Sequence, residues 1–103
     1  MKKNNTHRYN LNGEIFQVSI QISKYVKTNQ PAIILTVEPT KEPFMTASVA
    51  LVDEKLAPNE VAIKTWGGQE DVLAFLTDNH IVSAPKRYVS VGYVMAPICD
   101  LLA

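Results

Sequence analysis

An Asn-Gly pair followed by strictly alternating residues constrains the fold of this chain more than any other feature of its sequence. Asn12-Gly13 favours a two-residue hairpin turn of type I′, because both central positions of that turn need a positive φ. From residue 16 to 23, apolar and polar side chains alternate, which predicts a strand with one buried and one wet face. The apolar positions are Phe16, Val18, Ile20 and Ile22. A two-residue loop then places Tyr9 opposite Phe16, as an aromatic pair on the buried face.

Further strands follow at short intervals along the chain. Residues 32–37 are apolar and largely β-branched, which predicts a central strand covered on both faces. Alternation returns over residues 44–52, and four side chains are expected to share one face: Met45, Ala47, Val49 and Leu51. Residues 61–63 predict a short strand, and residues 88–101 predict one or two strands around a bend at Gly92. Because Pro97 cannot donate a ladder hydrogen bond, the last stretch is predicted to be an edge strand or to carry a bulge.

The hydrophobic period changes from two to 3.6 in one segment, from about Gln69 to Asn79. One helical face of this segment is apolar and contains Val72, Phe75 and Leu76. Glu70 and Asp71 are expected in its first turn, where carboxylates complement the helix dipole. The sequence therefore predicts a single α+β domain over residues 1–103, with a mainly antiparallel sheet of about five to seven strands and one helix packed on one face.

Charge and composition bear on the class of partner and on location. The ten basic and ten acidic side chains balance, whereas a nucleic-acid binder normally shows a basic excess. No run of apolar residues approaches a membrane span, and the basic N-terminus lacks the apolar stretch of a signal peptide. Cys99 is the only cysteine, as expected of a protein in a reducing compartment. We therefore expect a cytoplasmic protein.

No motif in the sequence carries catalytic chemistry. Neither histidine, His7 or His80, stands at metal-ligand spacing from another ligand, and no Gly-x-Ser-x-Gly is present. The Gly67-Gly68 pair before the helix could receive an anion, but no lysine follows it and the two acids after it would repel a phosphate. We expect no cofactor, no metal and no enzymatic activity, with a small enzyme kept as the least favoured alternative.

Three segments resemble a known family: residues 61–66 (Val-Ala-Ile-Lys-Thr-Trp), residues 72–76 with the helix exit His80-Ile81-Val82, and the closing residues 91–98. They are similar to a family of small proteins of unknown function carried by conjugative plasmids and phages of gut Firmicutes and Bacteroidetes. The resemblance extends over nearly all of the chain and is specific from Val61 to Leu101. The chain departs from it at Gly67-Gly68, where the family has acidic and polar residues. The resemblance implies a mobile-element accessory protein, a setting in which small proteins counter host defences, including inhibitors of CRISPR nucleases.

The leading hypothesis from the sequence is a protein-binding function carried by Lys64, Trp66, Tyr93 and Met95. Tyr93 and Met95 lie in the predicted edge strand, which could pair with a partner. Two interpretations of Trp66 stay open: an exposed anchor in an interface, or a lid packed against the sheet at the start of the helix. The expected partner is a host or element-encoded protein, with a Cas9-type nuclease as the concrete case. A monomer and a homodimer are both compatible with the sequence.

The alternative hypothesis is a module that binds single-stranded nucleic acid. Basic and aromatic residues are interleaved in two segments, as in proteins that stack bases on a sheet. These segments are Lys24, Tyr25 and Lys27, and Lys86, Arg87 and Tyr88. The other interpretation is that both segments are solvated strand ends with partly packed tyrosines.

Overall fold

The computed structural model of the protein describes residues 6–102, which form eight strands and one short helix. The elements in chain order are β1 (Thr6–Leu11), β2 (Glu14–Lys24), β3 (Pro31–Val37), β4 (Glu42–Thr46), β5 (Ser48–Val49), β6 (Glu60–Ile63), α1 (Val72–Asp78), β7 (Arg87–Val91) and β8 (Val94–Asp100). The strands form two antiparallel four-stranded sheets, ordered β1-β2-β3-β4 and β5-β6-β8-β7. The expected mainly antiparallel α+β architecture is therefore confirmed.

The prediction of one sheet of five to seven strands is wrong, because the chain changes sheets at Ala47. The Ala47 amide donates to the Ile33 carbonyl in the first sheet (2.8 Å), and its carbonyl accepts from the Lys64 amide that follows β6 (2.8 Å). The predicted strand over residues 44–52 is thus divided into β4 and β5, and its apolar side chains enter two different cores. Met45 and Ala47 belong to one core, whereas Val49 and Leu51 belong to the other. A period of two cannot show this change, since both cores take alternate residues.

The first hairpin is formed as the Asn-Gly pair predicts. Asn12 and Gly13 have φ values of 54° and 89°, and Leu11 pairs with Glu14 across the turn. This register places Tyr9 opposite Phe16, which confirms the predicted aromatic pair. Of the four apolar residues predicted on the buried face of β2, only Ile22 is exposed, and it lies near the C-terminal end of the strand.

The two sheets and the helix share the larger of two hydrophobic clusters. Its buried members are Tyr9, Val18, Ile33, Leu35, Ala47, Val61, Ile63, Val72, Phe75, Leu76, Ile81, Val82 and Cys99. The helix therefore packs into a core formed by both sheets, and does not cover one face of a single sheet. A smaller cluster, built on Leu51, Ala62, Ala96 and Ile98, covers the other face of the second sheet. All four residues of β6 are buried, because β6 has a cluster on each side.

Helix α1 begins later than the sequence predicts. Glu70 precedes the helix and Asp71 is its N-cap residue, with no side-chain capping bond, so the first turn contains no acid. The Gln69 side-chain amide donates to the carbonyls of Thr46 (3.0 Å) and Lys64 (3.2 Å), which ties the preceding segment to the strands and delays the first turn. The apolar face is confirmed. Within residues 6–102, no helix has the length and apolar character needed to cross a bilayer.

Strand β8 lies inside the second sheet, between β6 and β7, so its prediction as an edge strand is wrong. Its registers with β6 and β7 run without a shift, so the alternative prediction of a bulge is wrong as well. Pro97 is tolerated there because the ladder with β6 begins one residue later, at Ile98. On the other side, Pro97 faces Tyr88 of β7. Strand β7 lies at one edge of this sheet, because within the described residues β8 is its only hydrogen-bonded neighbour.

Candidate functional site

Three large apolar side chains are exposed together on the β7–β8 hairpin. Tyr93 lies in the turn after Gly92, whose φ is 62°, and is fully exposed. Tyr88 and Met95 are each more than half exposed. Because Tyr88 pairs with Pro97 and Ser90 with Met95, Tyr88 and Met95 are diagonal neighbours on the same face of the sheet. We call Tyr88, Tyr93 and Met95 the hairpin patch.

The structure separates Trp66 from the hairpin patch. Trp66 is half-buried and packs against the smaller cluster, which includes Ala96 of β8. Since side chains alternate along a strand, Met95 lies on the opposite face of β8 from Ala96 and therefore from Trp66. Lys64, at the end of β6, is also half-buried. The four residues predicted to bind a partner thus form two separate groups: Tyr93 and Met95, and Lys64 and Trp66.

The two predicted nucleic-acid segments lie in different sheets. Lys24 ends β2 in the first sheet and is exposed, as is Lys27 in the following loop. Tyr25 is half-buried, and its hydroxyl lies 2.9 Å from Oγ of Ser48. Tyr25 is therefore partly packed, as the structural interpretation of this segment expects.

The other basic segment is held by a carboxylate that the sequence did not single out. Glu60 is 4% exposed, and its Oε2 accepts from Nζ of Lys86 (2.8 Å) and from Nη1 of Arg87 (2.8 Å). Its Oε1 accepts from Nη2 of Arg87 (3.0 Å) and from the amide of Ala57 (3.0 Å). These bonds hold the pKa of Glu60 far below its usual range, with the bond from Arg87 as the largest cause.

The charges of Lys86 and Arg87 are consequently balanced within the fold. Lys86 also contacts Oδ1 of Asp100 (3.1 Å). The hydrogen bonds to Glu60 raise the pKa of both cations. Two cations therefore face two carboxylates, so this segment offers little net charge to a phosphate. The sequence did contain a sign of this cluster. Glu60 directly precedes the apolar residues 61–63, and a carboxylate that is buried with them needs a bonded partner.

His7 and Cys99 are held within the fold, whereas His80 is exposed. Nδ1 of His7 lies 3.0 Å from Oδ1 of Asn79, whereas His80 is exposed in a left-handed conformation with φ of 59°. Cys99 is fully buried, and its burial, with a smaller effect of Asp100, raises the pKa of the thiol to about 11. The described part of the chain contains no group of three His, Cys, Asp or Glu side chains arranged to hold a metal ion.

Comparison of the chain with protein-family models, with curated proteins and with solved structures finds no match. The resemblance to a family of mobile-element proteins therefore stays a prediction, and the residues themselves must support any functional proposal.

Proposed function

We propose that this protein acts in the cytoplasm by binding another protein through the hairpin patch and the adjacent edge of β7. The observation that carries the proposal is the exposure of two tyrosines and a methionine on one hairpin. Aromatic residues and methionine are enriched in protein interfaces, where a few such side chains supply most of the binding free energy. The chain acts as a binder and not as an enzyme in this proposal.

The edge of β7 adds a second means of contact. The backbone groups of Arg87–Val91 that point away from β8 have no strand neighbour in residues 6–102. A partner strand could add to this edge through main-chain hydrogen bonds, and Tyr88 would contact its side chains. An edge of this kind is usually protected by charged side chains or proline. The one charged side chain of β7, Arg87, is bonded to Glu60.

The sequence resemblance implies a host or element-encoded partner, and a Cas9-type nuclease is the concrete case to test. The test is cleavage of a target DNA by several Cas9 orthologues with and without the purified protein, together with complex formation by size-exclusion chromatography. We expect at least one orthologue to be bound and inhibited. Unchanged cleavage and no complex with any orthologue would remove the nuclease as partner.

A double variant tests the surface itself. Tyr93→Ala with Met95→Ala is expected to weaken the complex by about 2 kcal/mol or more, because both are exposed side chains of the patch that a partner would bury. The variant should fold normally, since both side chains are exposed. Val26→Ala is the matched control, because Val26 is fully exposed in the β2–β3 loop, outside the patch. A complex that survives the double variant unchanged would contradict the proposed surface.

Binding of single-stranded nucleic acid is the second candidate, supported by the exposure of Lys24, Lys27 and Tyr88. The pairing of Lys86 and Arg87 with Glu60 favours the protein-binding function over it. The discriminating measurement is the mobility shift of a labelled oligonucleotide over a range of salt concentrations, because phosphate contacts release counterions. A salt-sensitive shift at micromolar protein would favour nucleic acid, and its absence at low salt would exclude it.

A further inference from the structure

The free edge of β7 has a pattern of backbone groups that its pairing with β8 determines. Facing residues of an antiparallel pair of strands alternate between pairs that exchange two hydrogen bonds and pairs that exchange none. Pro97 has no N–H and therefore cannot exchange two bonds with Tyr88, the residue that it faces. The N–H and carbonyl of Tyr88 consequently point away from β8, toward the free edge.

The neighbouring strand gives the same answer. The Leu101 amide donates to the Asn59 carbonyl beside β6 (2.8 Å), so alternation directs the backbone of Pro97 toward β6 as well. Ser90 follows Tyr88 by two residues and faces Met95 in another pair without bonds. Tyr88 and Ser90 therefore each present one donor and one acceptor to the free edge.

These groups set the requirement for a partner strand. Within residues 6–102, no strand pairs with this side of β7, and no backbone bond from a turn or loop reaches Tyr88 or Ser90. A strand that satisfies both residues must present two donors and two acceptors at the same spacing, in the reverse direction. A second β7 that is related to the first by a two-fold axis meets this requirement by symmetry.

One position of the axis satisfies every outward group. With the axis at Val89, Tyr88 faces Ser90 of the second copy, and Ser90 faces Tyr88 of the second copy. Each of these pairs exchanges two hydrogen bonds, so no outward N–H or carbonyl of either strand stays unpaired. An axis at Tyr88 would instead place Ser90 opposite Lys86, whose amide already donates to another carbonyl (2.7 Å). An axis at Ser90 would place Tyr88 opposite Gly92, which lies in the turn.

The exposed side chains of this face fit the same register. Tyr88, Ser90 and Met95 lie on one face of the sheet, and all three are exposed. The Tyr88 ring of one copy lies over the small side chain of Ser90 in the other copy, beside its Met95. Contact between a methionine sulfur and an aromatic ring is favourable, and here it covers two side chains that are exposed in the single chain.

The charges of the edge do not oppose this arrangement. Arg87 is the one charged residue of β7, and its guanidinium is bonded to Glu60 of its own chain. In the register centred on Val89, it faces Val91 of the second copy, so no like charges stand opposite each other. Val89, which is half-buried, meets its own copy at the axis. The chain has a formal net charge of zero, so two copies do not repel each other as a whole.

We propose that two copies of this chain form a dimer through their β7 edges, with the two-fold axis at Val89. The dimer joins the second sheets of both copies into one continuous antiparallel sheet. Because β7 has five residues, the contact is small and the dimer exchanges with the monomer. The dimer covers Tyr88 and Met95 and therefore competes with a partner of the hairpin patch. This competition rests on the proposed function, whereas the dimer itself does not.

The first test is sedimentation velocity of the purified protein alone, from micromolar to millimolar concentration. We expect the average mass to rise from that of the monomer toward twice that value. A natural chain that stays monomeric at millimolar concentration would overturn the proposal. Since no nuclease is present, this failure is distinct from a failure to bind one.

A proline on the edge tests the backbone bonds. Ser90→Pro removes an N–H that points away from β8, so the ladder with β8 keeps its bonds, and the ring blocks an approaching strand. We expect this variant to stay monomeric throughout the concentration range. Ser90→Ala is the matched control, because it keeps the N–H and should dimerise as the natural chain does. Equal dimerisation of the proline and alanine variants would refute the edge as the interface.

Cysteine variants test the register independently of the proline. In Val89→Cys the two new thiols lie in a facing pair without backbone bonds, whose Cα atoms are about 4.5 Å apart, within the range of a disulfide. Val91→Cys is the control, since it is half-buried on the same face but its Cα atoms would lie about 14 Å apart. The buried Cys99 does not interfere.

Mild oxidation followed by non-reducing electrophoresis is expected to give a covalent dimer of Val89→Cys and little of Val91→Cys. Equal cross-linking of both variants would refute the register. A Val89→Cys variant that is folded and does not cross-link at millimolar concentration would overturn the dimer.

Discussion

Replacing Glu60 by glutamine is expected to lower the free energy of unfolding by about 2 kcal/mol. The carboxylate accepts four hydrogen bonds and links β6 to β7, two strands that are separated by β8. Glutamine has one oxygen to replace two, and its NH₂ group would face the N–H groups of Lys86 or Arg87. The variant therefore loses the ionic bonds and opposes donors to donors within a buried position.

The magnitude follows from how much of the cluster is buried. Removing one partner of a fully buried ion pair costs about 3–5 kcal/mol, and an exposed pair contributes at most about 1 kcal/mol. The Glu60 side chain is 6% exposed, but those of Lys86 and Arg87 are 42% and 43% exposed, so water can solvate the cations once the carboxylate is gone. The cost lies between these limits. In a domain of this size it lowers the melting temperature by about 8–16 °C.

The effect should depend on pH in a defined direction. Glu60 has a folded-state pKa below its ordinary value of 4.5, so its stabilisation is complete above pH 4.5. It is lost as the pH falls further, because the unfolded chain then binds a proton that the folded chain does not. The difference in unfolding free energy between the natural chain and Glu60→Gln should therefore shrink below pH 4.5.

The assay is urea unfolding at neutral and acidic pH, followed by fluorescence of Trp66, the only tryptophan. Glu38→Gln is the matched control, because Glu38 pairs with Lys41, whose side chain is 73% exposed. The control should lose much less stability than Glu60→Gln. Equal stability of Glu60→Gln and the natural chain at neutral pH would refute the reasoning, as would a difference that persists unchanged in acid.

Two further predictions concern buried groups. Cys99 should not react with a thiol reagent in the folded protein, since it is inaccessible and its pKa is raised to about 11; rapid labelling without denaturant would contradict this. Gln30→Ala should lower the free energy of unfolding by about 1–3 kcal/mol in a thermal melt, because the buried Gln30 amide pairs with both the N–H and the carbonyl of Leu51. A loss below about 0.5 kcal/mol would show that the β5–β6 loop does not depend on Gln30.

The sequence determined the features that depend on neighbouring residues. Asn12-Gly13 sets the first turn, and a two-residue turn leaves one register for the strands on either side. Tyr9 opposite Phe16 follows from that register alone. The apolar face of α1 is likewise a local pattern, although its first turn is not, because the side chain of Gln69 bonds to strands that are distant in sequence.

The tertiary structure decided everything that depends on which strands become neighbours. Alternation over residues 44–52 is the same whether its apolar side chains enter one core or two, so the change of sheet at Ala47 has no local signal. Pro97 suggests an edge strand, yet β8 is internal because its second ladder starts after the proline. The bonds between Glu60 and Arg87 and the packing of the Tyr9 ring against Phe44 and Phe75 have the same origin. Each joins residues far apart in sequence, and such pairs are set by packing of the whole chain and not by local preference.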